Sequence, residues 1–189
     1  HDLALLGFSP VVFETEPVAA GMLAVGVPAY RLPRELIRRE VAVIEALGVK
    51  IHLNTRIGTD IPFAKLREDY DAVFIGCGTM LSSKLEIPGE ELSGVVHGVD
   101  YLKRINLGEK VDLGRRVAVV GGGNVAMDAC RTAVRMGAEE VFVLYRRSRA
   151  EMPASPEEIE EAIEEGVRME FLVAPVRIIG EGGRVKAVE

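Results

Sequence analysis

The sequence predicts an α/β fold built on a parallel β-sheet, and the observations that predict it lie in the second half of the chain. Residues 116–120 (RVAVV) are apolar after the first position, as in a parallel strand that is covered on both faces. A glycine turn at 121–123 follows, and a helical stretch at 124–136 leads to a second apolar strand at 141–145. This order of strand, helix and strand is that of a βαβ unit, whose two strands run parallel.

The residues before this unit predict the later part of a similar one. Residues 34–48 form an amphipathic helix, with Pro33 suited to its first turn and Gly48 to the position after its end. The other elements predicted here are a helix tail ending at Gly7, strands at 11–14, 49–53 and 71–76, and a Gly/Pro-rich loop at 21–33. The strand and glycine turn that would open such a unit fall before residue 1. We therefore expect this part to be a truncated dinucleotide-binding segment.

The remaining segments complete the predicted order of elements. Residues 80–112 show no strong period and are expected to be a connector. A capping box predicts a helix at 156–165, and its glutamates are expected to form a solvated face. Three short apolar segments follow, and a pair of glycines between the last two is a hairpin signal.

Composition and charge exclude several classes of function. The net charge of −6 argues against a nucleic-acid partner or an anionic membrane surface, and no apolar run reaches the ~18 residues of a membrane span. Residue 1 already lies in an apolar-patterned element, so no signal peptide is predicted. Cys77 and Cys130 form no C-x-x-C pair, which fits a reducing, cytoplasmic compartment and argues against a dithiol centre. No metal site is predicted, because the three histidines are scattered.

The glycine turn carries a chemical prediction of its own. Gly121, Gly123 and Ala126 fit the pattern G-x-G-x-x-A, in which the first glycine permits a tight turn and the next lets a pyrophosphate approach the backbone. The small third residue lets the helix pack on the strand, and the helix N-terminus then faces the phosphates. The sequence therefore predicts a dinucleotide here, and the alternative is a glycine-rich turn without a ligand.

The residues after the next strand predict which dinucleotide binds. An NAD site usually carries an acid about 20 residues beyond the first glycine, where it binds the ribose 2′-hydroxyl. This chain instead has Tyr145-Arg146-Arg147 at the corresponding strand end. Guanidinium groups suit a 2′-phosphate, because their N–H donors match phosphate oxygens. NADPH is predicted, and the alternative is a basic surface loop with no ligand.

Several motifs together resemble those of a known family. The chain is similar to the NADPH-dependent glutamate synthase small (beta) subunit family, a group of FAD-dependent pyridine nucleotide oxidoreductases. That family also includes the flavin and NADPH half of dihydropyrimidine dehydrogenase and the large subunit of the NADH-dependent ferredoxin:NADP oxidoreductase. The motifs are GMLAVGVPAYRLP (21–33), DAVFIGCGT (71–79), IPGEELSGV (87–95), VVGGGNVAMDACRTAVRMGA (119–138) and YRRSRAEMPA (145–154).

The resemblance implies a division of the chain and a set of cofactor contacts. It implies a partial FAD-binding domain and connector over 1–112 and a Rossmann-like NAD(P)H-binding domain with a parallel sheet over 113–189, in which 168–189 fit a three-stranded β-meander. The implied FAD contacts are Glu14, Gly21, Met22, Arg31, Ile57, Gly76, Gly78 and Thr79. The implied NADPH contacts are Gly121, Gly122, Gly123, Asn124 and Val125 on the phosphates, with Arg146 and Arg147 on the 2′-phosphate.

The resemblance also implies a reaction. Hydride passes from NADPH to FAD, and electrons then leave for an iron–sulfur electron-transfer domain or a large catalytic subunit. No side chain is predicted to be catalytic, because the cofactors carry this chemistry. FAD binding by the truncated segment is expected to be weak. The alternatives are an isolated, non-catalytic nucleotide-binding module, and an electron-transfer subunit of the dihydropyrimidine dehydrogenase or ferredoxin:NADP oxidoreductase kind. A reductase of thioredoxin reductase type would need a cysteine pair that the chain lacks.

Overall fold

A computed structural model describes all 189 residues, which form two compact units, residues 1–80 and 81–189. The first unit is built around one parallel pair of strands. Its elements are α1 (Asp2–Leu5), β1 (Val11–Phe13), α2 (Met22–Val25), α3 (Arg34–Ala46), β2 (Lys50–His52) and α4 (Phe63–Asp69). Val12 lies beside Ile51 in the parallel pair, and α3 is the crossover helix between its strands. The predicted strand–helix–strand order of this segment is thereby confirmed.

One strand predicted for the first unit is not formed. Residues 71–76 have no regular secondary structure, and Phe74 is 92% exposed. A strand needs a hydrogen-bonded neighbour, and β1 and β2 pair only with each other. Residues 71–76 have the apolar pattern of a strand, but no strand pairs with them. Two short helices, α2 and α4, were not predicted.

The second unit holds a three-stranded parallel sheet in the order β3-β4-β5. Its elements are α5 (Gly98–Asn106), β3 (Arg116–Val120), α6 (Asn124–Arg135), β4 (Glu140–Tyr145), a 3-10 turn (Arg149–Glu151), α7 (Pro156–Glu164), β5 (Arg168–Phe171), β6 (Ile178–Glu181) and β7 (Arg184–Val188). Val117 lies beside Val141 in the β3–β4 pair, so the parallel βαβ unit is confirmed. Helix α5 lies within the segment predicted to be a connector.

The core of the second unit lies around α6. Small residues of this helix, Ala126, Cys130 and Ala133, are buried and pack with Val143 of β4 and Ile159 of α7. Short side chains allow α6 to approach the sheet closely, which keeps its N-terminus directly beyond the end of β3. None of the helices combines the length and apolar composition that a membrane crossing requires.

Helix α6 is tied to α7 by a buried cation. The Arg131 side chain is 7% exposed, and its Nη1 lies 2.5 Å from Glu161 Oε2 while its Nη2 lies 2.7 Å from Glu165 Oε1. Arg135 also pairs with Glu165. Hydrogen bonds from Arg135 and Arg131 lower the pKa of Glu165 to about 2. The expectation that the glutamates of 156–165 form a solvated face is therefore wrong for Glu165, whereas Glu161 stays exposed.

The predicted three-stranded meander at 168–189 is not formed as such. β5 joins the parallel sheet beside β4, while β6 and β7 form a separate antiparallel hairpin. The third segment against this hairpin comes from the connector, where Ser93 forms a bridge with Arg184. Because β5 pairs in parallel with β4, it does not pair with β6 as a meander would require.

The connector packs with the second unit. Gly89 is required for this packing, because a Cβ atom on it would lie 2.1 Å from the carbonyl oxygen of Ile178, and its φ is +88°. The two compact units accordingly divide between Met80 and Leu81, whereas the expected division of cofactor domains was at residues 112 and 113. Assignment of the two parts to FAD and to NADPH remains a proposal.

Candidate nucleotide-binding site

The glycine turn leaves β3 and enters α6, with Gly121 and Gly123 partly exposed and Gly122 buried. Gly121 has a φ of +135°, which favours glycine, and its N–H donates to Leu144 O at 3.1 Å. Gly123 is the N-cap residue of α6. A Cβ atom on Gly123 would meet only Pro153 Cγ, at 3.8 Å. The space in front of Gly123 is therefore open to a ligand that approaches the backbone.

The same turn presents unused hydrogen-bond donors. The backbone N–H groups of Gly122, Gly123, Asn124 and Val125 donate to no protein acceptor, and no side chain caps α6. The first intrahelical bonds run from Ala126 and its successor to the carbonyl oxygen of Gly123. Four free donors at the positive end of a 12-residue helix suit an anion such as a pyrophosphate.

Gly122 has a different role from its neighbours. A Cβ atom on it would lie 2.7 Å from two carbons of the Tyr145 ring, so the ring occupies the space that a side chain would need. The Gly122 carbonyl accepts a hydrogen bond from Ala154 N at 3.1 Å. The resemblance implied a phosphate contact for Gly122. Its N–H has no protein acceptor, but the residue is buried and the Tyr145 ring occupies its side-chain position.

Two arginines follow β4 without ionic partners. Arg146 and Arg147 are exposed, and no carboxylate lies within ion-pair distance of either guanidinium. Arg149 of the same loop differs, because it pairs with Glu160. The pKa of Glu151 is lowered by hydrogen bonds from the Ser148 backbone and side chain, and the charge of Arg147 lowers it further. Two unpaired guanidinium groups at a strand end next to a glycine turn can bind a phosphate.

The residues implied for FAD lie in the first unit. Glu14 follows β1, and its Oε1 accepts the Glu16 N–H at 2.9 Å, which leaves Oε2 outside that bond. Gly21 is the N-cap residue of α2 with a φ of +50°, and Met22 begins that helix. The others lie in exposed loops or a turn: Arg31, in a turn closed by Pro28 O; Ile57, in a bridge with Ile61; and Gly76, Gly78 and Thr79, in the exposed segment after α4.

Sequence reasoning missed a residue that shapes the Gly/Pro-rich loop. Arg34 Nη1 donates to Leu23 O at 2.9 Å and to Leu32 O at 3.4 Å, and Nη2 donates to Val27 O. Partial burial lowers the pKa of this guanidinium. Its sequence position, at the start of α3, suggested only a helix residue. The carbonyl groups it binds lie up to 11 residues away, so no local pattern reveals the contact.

Other candidate side chains do not form a reactive cluster. Asp128, an acidic residue within the glycine-turn motif, is buried on α6. Cys77 and Cys130 are both free thiols, the first exposed and the second buried. No group of three or more His, Cys, Asp or Glu side chains is arranged to hold a metal ion.

Relatives of the chain are oxidoreductase subunits. The chain is 50% identical to the NADP(+)-dependent formate dehydrogenase subunit beta of Moorella thermoacetica, over 100% of this chain and 27% of that protein. It is 44% identical to the NADPH-Fe(3+) oxidoreductase subunit beta of Geobacter sulfurreducens (100% and 29%). It is 43% identical to the glutamate synthase [NADPH] small chain of Halomonas elongata (97% and 41%). The chain thus spans well under half the length of these relatives.

Solved structures and a family model agree with these relatives. Mycobacterium tuberculosis FprA in complex with NADPH superimposes with a TM-score of 0.77 at 19% identity, over 95% of this chain and 59% of that one, so the fold is shared. The model of the family described as pyridine nucleotide-disulphide oxidoreductase matches residues 63–189. These matches confirm the resemblance to the glutamate synthase small chain, and they support NADPH and FAD as the cofactors. The chain therefore belongs to the pyridine nucleotide-disulphide oxidoreductase family.

Proposed function

We propose that this chain holds the NADPH-binding part of a flavin oxidoreductase of the glutamate synthase small-chain type. In this reaction, hydride passes from NADPH to FAD, and electrons continue to an iron–sulfur partner. One observation carries the proposal: four free backbone donors at the start of α6 lie in the same unit as two unpaired arginines at the end of the neighbouring strand. The names of the relatives, which carry NADP(+) or NADPH, support it.

Each part of the site has a distinct task in binding NADPH. The free N–H groups from Gly122 to Val125 hold the pyrophosphate, and the α6 dipole stabilises its charge. Arg146 and Arg147 bind the 2′-phosphate, the group that distinguishes NADPH from NADH. The open space at Gly123 lets the phosphates come close to the backbone.

FAD supplies the hydride acceptor when it is bound. In the first unit, Glu14 would accept a hydrogen bond from the adenosine ribose through Oε2, since Oε1 already accepts from the Glu16 N–H. Gly21, Met22 and Arg31 would line the flavin and its phosphates, Ile57 would lie near the adenine, and Gly76, Gly78 and Thr79 would complete the site. The protein's task at both cofactors is binding and orientation rather than proton transfer.

The partner is proposed from the relatives. Three of them are named as a beta subunit or a small chain, so each works beside at least one other subunit. We propose that this protein likewise delivers electrons to an iron–sulfur domain or a larger catalytic subunit. The chemistry of that acceptor is set by the partner.

Calorimetric titration of NADPH and NADH tests the nucleotide site. We expect Arg146→Ala and Arg147→Ala each to weaken NADPH binding by roughly ten- to a hundredfold, since a charge-assisted hydrogen bond contributes about 1.5–3 kcal/mol. NADH binding should stay within about twofold, because it lacks the phosphate these residues read. Arg149→Ala is the matched control: it removes the same charge from the same loop, but its guanidinium is already engaged by Glu160.

Two outcomes would contradict the proposal. If the wild-type protein binds both nucleotides equally, the arginines read no phosphate. If Arg149→Ala weakens NADPH as much as the other two variants, only the general charge of the loop matters. Bleaching of added FAD by NADPH then separates an oxidoreductase from a nucleotide-binding module that does no chemistry.

A further inference from the structure

We propose that Tyr145 is a positioning residue that locks the loop 145–154 onto the phosphate turn at Gly122. In this arrangement, the glycine turn that binds the pyrophosphate and the loop that binds the 2′-phosphate are fixed to each other. The inference rests on the proposed function, since it assigns Arg146 and Arg147 to NADPH. It concerns how these arginines acquire a fixed position, although their own side chains make no ionic contact with the protein.

The first contact is between the Tyr145 ring and Gly122. A Cβ atom on Gly122 would lie 2.7 Å from Cδ2 and Cε2 of the ring and 3.1 Å from Cγ. A Cβ atom essentially never lies 2.7 Å from another side-chain atom, so the ring at 145 leaves room only for glycine at 122. Tyr145 is buried, so its ring covers the protein side of the turn at Gly122.

The second contact closes the loop. The Tyr145 hydroxyl donates to the Glu151 carbonyl oxygen at 2.8 Å. The Glu151 carboxylate in turn accepts from the Ser148 N–H at 3.1 Å and from the Ser148 hydroxyl at 2.9 Å. One side chain at the start of the loop thus holds the 3-10 turn that follows the arginines.

The loop returns to the glycine turn at its far end. Ala154 N donates to Gly122 O at 3.1 Å. Gly122 therefore contacts both ends of the loop: the ring of Tyr145 packs against its Cα, and Ala154 binds its carbonyl oxygen. On the outer side, Leu172 N donates to Arg147 O at 3.3 Å. The arginine backbone is therefore fixed between the glycine turn and the end of β5.

Preorganisation of this kind lowers the cost of ordering the arginines when the nucleotide binds. It also predicts selectivity: loosening the loop should weaken NADPH and leave NADH almost unchanged, because NADH uses the turn but not the arginines. A residue that only stabilised the fold would affect both nucleotides alike.

The test measures the ratio of NADH to NADPH dissociation constants in four variants. Tyr145→Phe keeps the ring but removes the hydroxyl, and we expect it to lower the ratio by about two- to tenfold, the effect of one hydrogen bond. Gly122→Ala forces the ring away and should lower the ratio further. Gly122→Ala combined with Tyr145→Leu should recover part of that loss, because the shorter side chain makes room for the methyl group. Gly123→Ala, at the open position, should weaken both nucleotides by similar factors.

The outcomes separate this inference from the function on which it rests. A wild-type protein without a preference for NADPH overturns the proposed function, and with it the role of Tyr145. A wild type that prefers NADPH, together with a Tyr145→Phe variant of unchanged ratio, overturns this inference alone. Equal loss of both nucleotides in Tyr145→Phe, or a double variant that recovers none of the selectivity lost in Gly122→Ala, does the same. Thermal unfolding of each variant without nucleotide confirms that folded protein is compared.

Discussion

Replacing Arg131 by methionine tests how much the buried cation between α6 and α7 stabilises the second unit. Methionine keeps an apolar stem of similar length and removes only the charge and its hydrogen bonds. Breaking a buried pair typically costs about 3–5 kcal/mol, because it leaves a buried charge uncompensated. Here the charges left behind reach water, since Glu161 is 53% and Glu165 24% exposed, and Glu165 keeps its pair with Arg135, so we expect a smaller cost, about 2 kcal/mol. For a unit of this size, that corresponds to a fall in melting temperature of roughly 8–16 °C.

The matched control is a surface pair with the same chemistry. Arg115 Nη2 lies 2.5 Å from Glu139 Oε2, but its side chain is 81% exposed. Arg115→Met should therefore cost less than about 1 kcal/mol. Urea unfolding followed by circular dichroism gives both values, and hydrogen exchange at the amides of α6 and α7 shows which unit is affected. Equal costs for the two variants, or a cost below about 1 kcal/mol for Arg131→Met, would refute the argument from burial.

Two further results are expected from titratable groups. The pKa of Glu165 is about 2 in the folded protein, below its ordinary value of 4.5, so its stabilisation is complete above pH 4.5 and is lost as the pH falls towards 2. Glu165→Gln should be about 1–2 kcal/mol less stable than wild type at pH 7, and urea midpoints of the two proteins should converge near pH 2; a gap that persists there would show another cause. Burial raises the pKa of Cys130 to about 12, while Cys77 is exposed, so a thiol reagent at pH 8 should label Cys77 alone in native protein and both after unfolding. Rapid native labelling of Cys130 would contradict the packing of α6.

The parts of the fold that the sequence predicted well depend on local pattern. The order from β3 through the glycine turn to α6 and β4 follows from an apolar run, a pair of spaced glycines and small helix residues, all of which are neighbours in the chain. Residues 71–76 show the limit of such reasoning, because an apolar run becomes a strand only when another strand lies beside it. Helix α5 was predictable in principle. Tyr101, Leu102 and Ile105 have helical spacing and lie in or against one small core cluster, but the stretch is short.

In the candidate site too, local motifs were predictable and contacts between distant residues were not. Gly121 and Gly123 were found because their spacing is a motif, and their backbone geometry fits the roles predicted for them. The contact of Gly122 with Tyr145 was not predictable, since it joins residues far apart in sequence at a position that the motif leaves open. Arg131 and Glu165 are likewise separated by 34 residues, and a run of glutamates with no nearby cation is typical of a solvated face. The FAD contacts in the first unit stay predictions.

Backbone hydrogen bonds between the connector and the β6–β7 hairpin couple the stability of the two segments. Ile178 N donates to Pro88 O at 2.8 Å and Ser93 N donates to Gly183 O at 3.1 Å, so the opening and closing segments of this unit run side by side. Displacement of either segment would therefore leave backbone groups of the other without hydrogen-bond partners. The β6–β7 hairpin and the connector are thus expected to unfold together rather than to fray one at a time.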